Sequence, residues 1–158
     1  MELFPLAARW IHLLAATAWA GLLFFFVLVQ HPALAAARAD GTAAGITRHI
    51  APRALWLFRW AAVLTWLAGA ALLGKGLLPA LQLAPGSILI GVGVWLGTVL
   101  LASVWLIVWP AQRIALGLVP ADEARRGQAR RVAWIAARVN FVLVLAAFGF
   151  MAAAAHHG

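Results

Sequence analysis

Cysteine is absent from this chain, and carboxylates nearly so, with four Asp and Glu among 158 residues. Lacking cysteine, the chain can form no disulfide, no thiolate nucleophile, no cysteine-ligated iron–sulfur cluster and no covalently attached c-type haem. The acidic residues Glu2, Asp40, Asp122 and Glu123 all fall outside the long apolar runs. That placement argues against a proton-coupled transporter built on a buried carboxylate. Polar sequence is also scarce: charged residues make up 10% and hydrophobic ones 66%, which leaves no material for a soluble domain. Neither an internal repeat nor a low-complexity linker interrupts the chain.

What the chain does contain is four apolar runs, Leu6–Val29, Ala54–Leu73, Ser87–Trp109 and Val132–Ala155. A hydrocarbon core about 30 Å thick needs on the order of 20 apolar helical residues, and each run supplies them. Continuous apolarity without period-2 alternation excludes a β-barrel. The expectation is an all-α integral membrane protein, one domain over residues 1–158, forming a four-transmembrane-helix bundle. Glu2 and Arg9 precede an apolar stretch longer than a signal-peptide core, so the first run is expected to be a span. The net charge of +8 belongs to flanking arginines, with no basic surface suited to nucleic acid.

Ten of the 12 Lys and Arg residues flank the first and third connections: Arg38, Arg48, Arg53, Arg59, Arg113, Arg125, Arg126, Arg130, Arg131 and Arg138. Only Arg9 and Lys75 lie at the opposite face. By the positive-inside rule both termini are expected to be periplasmic in a bacterial inner membrane, with the arginine-rich loops cytoplasmic.

Proline is expected to stop the first helix near Gln30-His31-Pro32 and the third at Trp109-Pro110, and Ala51-Pro52 to open the second. Ala33–Ile50 reads as a short helix broken at Asp40-Gly41, and Gly74–Gly86 as a tight outer loop. Asp122-Glu123 facing Arg125-Arg126 suggests a solvated helical turn. Gly93 and Gly97 have the spacing that brings helix backbones close, either inside the bundle or between copies. Trp10, Trp56, Trp60, Trp109 and Trp134 fit interfacial belts, whereas Trp19, Trp66 and Trp95 are expected deeper.

Histidine is the titratable group nearest the spans. An odd-numbered helix entering from one face and an even-numbered helix returning to it bring His12 and His156 to the same membrane face. Binding b-type haem between two helices takes one imidazole from each, so this pair is the leading candidate, with Arg9 for a propionate. The alternative is interfacial histidine and a solvated chain end. His31 and His49 form a second possible pair at the arginine-rich face, and His157 and Lys75 are weaker candidates. Lys75 equally suits snorkelling to water. Gln112, Arg113, Arg138 and Asn140 gather in sequence where the third helix ends and the fourth begins. Such a set suits a planar anion with ring nitrogens and carbonyls, or plain interfacial anchoring with an interhelical hydrogen bond.

Several segments carry a family resemblance. Arg9-Trp10-Ile11-His12 with Ala18-Trp19-Ala20-Gly21 resembles the first helix of the membrane domain of PuuD-type urate hydroxylases, the cytochrome c-linked urate oxidases. Leu55-Trp56-Leu57-Phe58-Arg59-Trp60 with Thr65-Trp66-Leu67-Ala68-Gly69 is similar to the helix after that family's long inner loop. Gly97-Thr98, Val104-Trp105 and Trp109-Pro110-Ala111-Gln112-Arg113 are similar to its later signature, and Asn140-Phe141 with His156 to its last helix. The resemblance implies a shortened redox module passing electrons towards cytochrome c, with Gln112 and Arg113 as ligand contacts. It departs where a family histidine falls on Gly91 and another on Arg138, where Ser103 replaces an asparagine, and where extra helices and a fused cytochrome are missing. His12 with Lys75 is similar, more faintly, to four-helix membrane protoporphyrinogen oxidases.

Three functions are therefore expected as alternatives. The first is a membrane redox subunit that holds haem b through His12 and His156 and relays electrons to cytochrome c or another membrane redox subunit. The second is a urate- or purine-oxidising membrane enzyme, and the third a cofactor-free accessory subunit of a larger complex.

Overall fold

The structure, a computed structural model, describes residues 3–157, the side chain of His157 excepted, so the expectation on that imidazole lies outside the described residues. The described chain is all helical, with four rods long and apolar enough to cross a membrane: α1 (Leu3–Ala39), α2 (Ala43–Leu81), α3 (Ile88–Ala115) and α4 (Glu123–His157). They pack as two antiparallel hairpins, α1 on α2 and α3 on α4, with slighter contact between the hairpins. One end of the bundle carries the α1–α2 and α3–α4 turns and nearly all the arginines. The other carries both termini and the α2–α3 loop.

Three of the rods run through prolines at which a boundary was expected. α1 continues past Pro32 to Ala39, α2 begins well before Pro52, and α3 passes Pro110 to Ala115. Each proline is preceded by a π-helical segment: Phe25–Gln30, Ile46–Ile50 and Val104–Val108. The carbonyls four residues before the prolines, on Leu28, Arg48 and Leu106, all lie inside these segments. Widening the turn there moves each carbonyl off the pyrrolidine ring and shifts the bond ladder past the missing N–H. The arginine-rich connections are thus mostly helix rather than loop.

Short polar devices end the rods. Between α1 and α2, Gly41 takes φ +77°, and the Asp40 carboxylate accepts bonds from the Thr42 hydroxyl at 2.6 Å and the Thr42 N–H at 3.1 Å. These bonds hold the Asp40 carboxyl below its ordinary range, so this contribution to the turn is lost only as pH falls through that depressed value. Asp122 caps α4 by accepting the Arg125 N–H at 2.7 Å. Glu123 pairs with Arg130, at 2.5 Å, rather than with the nearer Arg126.

In the middle and towards the arginine-rich end, the core is closed. Leu23 and Phe58, each 1% exposed, interlock with Leu55, Leu100, Val104, Val108 and Val144 over Ala61, Ala62 and Ala136. Phe26 meets Phe58 edge-on at 5.3 Å, and Phe24 meets Phe141 at 4.7 Å, tying α1 to α2 and α4. Trp19 is buried as expected. Trp95 is not: it is exposed at the bundle edge, and its indole N–H donates to the Leu81 carbonyl at 3.0 Å, pinning the end of α2 to α3. Beneath that contact Gly91 abuts the Ala80 carbonyl so closely that no side chain fits there.

Candidate functional site

Towards the termini the four helices separate around a cavity of about 970 Å³. That volume is at the upper end for small-molecule and cofactor sites, roughly 300–1,000 Å³. Its wall is apolar: Leu13, Trp19, Leu73, Phe148 and Met151 contribute bulk, while Ala16 and Gly97 leave space. Gly97 explains part of the opening, since a Cβ there would meet nothing within 4 Å. Gly93 behaves differently, sitting against Met151 with its virtual Cβ 3.0 Å from Cγ. Of the two glycines expected to bring helices together, only one does.

His12 is the principal polar group in the cavity wall, and its orientation follows from α2. Its Nδ1 lies 2.8 Å from the Thr65 carbonyl oxygen. A carbonyl only accepts, so Nδ1 carries a proton, and in the neutral ring Nε2 keeps its lone pair. The ring rests directly on Gly69, where a Cβ would come within 2.9 Å of its Cε1. Thr65 turns its own hydroxyl to the Ala61 carbonyl, 2.7 Å away, so it adds no second polar group beside the imidazole. Trp66, also in the wall, donates its indole N–H to the Thr98 hydroxyl at 2.9 Å and braces α2 against α3. Arg9 stands exposed at the cavity's edge.

A neutral imidazole fixed by a backbone carbonyl on one nitrogen, with the other free, is the arrangement of a metal-ligating histidine. The apolar cavity beside it has the volume of a cofactor site, and Arg9 places a cation at its rim. Thr65 and Gly69 were not singled out as site residues. A glycine one helix across from a histidine at matching depth is the signal that could have found Gly69.

The other candidates are dispersed. His156 is exposed on the last turn of α4, its Nδ1 bonded to the Ala152 carbonyl at 2.9 Å. It does not line the cavity, although its neighbours Ala154 and Ala155 do. Lys75 is exposed on the Gly74–Gly76 turn, away from the cavity wall. At the arginine-rich end His31 stacks on Trp134, with centroids 3.5 Å apart, and lines a small cavity of about 120 Å³ with Gln30, Arg38, Gln112 and Arg130. His49 is exposed and does not reach that cavity. Nor do Gln112, Arg113, Arg138 and Asn140 converge on one space. Gln112 faces the small cavity, Arg113 lies over Trp109, Arg138 lies over Trp134, and Asn140 is 1% exposed in the core with its Nδ2 unpartnered.

No known family matches the chain by its sequence profile, and no curated protein or solved structure is significantly similar to it.

Proposed function

We propose that this protein is a haem b-binding redox subunit of a bacterial inner membrane, with its termini on the periplasmic face and its arginine-rich turns in the cytoplasm. The observation carrying this reading is His12: Nδ1 is committed to Thr65, Nε2 is free, and the ring borders a large apolar cavity. When bound, haem supplies one-electron ferric/ferrous exchange. The chain's own residues would hold and insulate it. His12 would give a nitrogen ligand, Arg9 would neutralise a propionate, and Trp19, Phe148 and Met151 would keep water away. His156 likewise donates from Nδ1 to a backbone carbonyl, that of Ala152, and would be the second ligand in this reading. Cytochrome c or another membrane redox subunit is the partner in this reading.

The urate-oxidising alternative draws no support from geometry, because its four contact residues face different surroundings. Optical spectra of detergent-purified protein, oxidised and dithionite-reduced, test the proposal. The wild type should show a Soret band and reduced α and β bands. His12→Ala should lose most bound haem, and His156→Ala should change from low-spin to high-spin character. A Soret band unchanged in both variants would refute the ligand assignment. A colourless wild type still held by partner subunits would favour a cofactor-free accessory role.

A further inference from the structure

At the arginine-rich end, on the face shared by α2 and α3, a cationic cluster lies outside both cavities. The Arg59 guanidinium sits 3.9 Å from the Trp109 ring centroid, 5.4 Å from Trp105 and 5.7 Å from Trp60. Arg113 approaches the same Trp109 ring at 5.6 Å. Trp60 and Trp105 meet edge-on at 5.4 Å, which fixes the wall of this cage. Aromatic faces attract a guanidinium but do not use its N–H donors. Arg59 Nε accordingly lacks a hydrogen-bond partner.

Among the described residues no carboxylate pairs with this cluster. Among the described residues the one ion pair is Glu123 with Arg130, while Asp40 bonds Thr42 and Asp122 caps α4. Two guanidinium groups therefore share one indole with no carboxylate between them. The surrounding apolar surface, including exposed Trp56, Trp60 and Ile107, is the kind that contacts acyl chains. A phosphodiester is the complementary anion, since its paired oxygens match the guanidinium fork and a glycerolipid's chains extend along α2 and α3.

We propose that Arg59, Arg113 and Trp109 form a binding site for the phosphodiester headgroup of an anionic phospholipid. The site is independent of haem and of the His12 cavity.

Native mass spectrometry of the full-length, delipidated protein tests this, with phosphatidylglycerol, phosphatidylcholine and inorganic phosphate as separate probes. Wild type should retain phosphatidylglycerol adducts at least about tenfold more strongly than phosphatidylcholine, and Arg59→Gln should remove most of that preference. Arg113→Gln alters an exposed side chain and should weaken it in the same direction, which keeps the test readable if Arg59→Gln fails to fold. Arg131→Gln, an exposed arginine outside the cluster, should leave it unchanged. Equal lipid preference in wild type and both cluster variants would overturn the proposal, as would an equal loss in Arg131→Gln. Binding of inorganic phosphate as tight as that of the lipid would assign the cluster to a free anion instead.

Discussion

The two ends of this bundle are built from the same small and apolar residues, yet one is solid and the other hollow. Towards the arginine-rich end, Ala61 and Ala136 share one buried cluster with Leu23, Phe58, Leu100 and Val104. At the termini, Ala16 and Gly97 border open space instead. In lipid the hydrophobic effect does not pull helices together, and packing contacts decide where they touch. A gap therefore loses dispersion contacts. Among the described residues, His12 is the imidazole in that wall.

Truncation in the solid end should have the largest effect on stability. Phe58→Ala should cost about 3 kcal/mol in a detergent unfolding titration, by removing a ring that packs on Phe26 and the core. Leu13→Ala, at the cavity wall, should cost less than about 0.5 kcal/mol. If the two cost the same, the contrast between the ends fails.

Gly69→Ala should have the largest effect on ligand binding short of removing His12. The added methyl displaces the imidazole on which it would press, so haem affinity should fall about tenfold with little change in unfolding midpoint. Gly97→Leu sharpens the comparison from the other side. It should fill part of the cavity, lower haem content and leave the haem-free protein at least as stable. A smaller effect is expected far from both: Asp122→Ala should cost about 1 kcal/mol and speed amide exchange in the first turn of α4.

The four rods were legible in the sequence because bilayer thickness imposes a length that few other structures need. Their ends were not, because Pro32, Pro52 and Pro110 read as breaks while the backbone absorbs each with a π turn. The count of crossings set the end of the bundle on which His12 lies, but the partner that orients it is a backbone carbonyl, which leaves no mark in sequence. Trp95 was misplaced for a related reason: its indole is anchored by the Leu81 carbonyl at the edge, not by burial. The cluster of Gln112, Arg113, Arg138 and Asn140 was a proximity in sequence that helical rotation pulls apart, sending Arg113 to Trp109 and Asn140 into the core.

The most direct measurement is the dithionite-reduced minus oxidised difference spectrum of the purified wild-type protein, paired with a haem-to-protein ratio. A b-type spectrum near one haem per chain, lost in His12→Ala, is the expected result. Haem-free protein that also takes up no added haemin would contradict the assignment of the hollow end as a haem site.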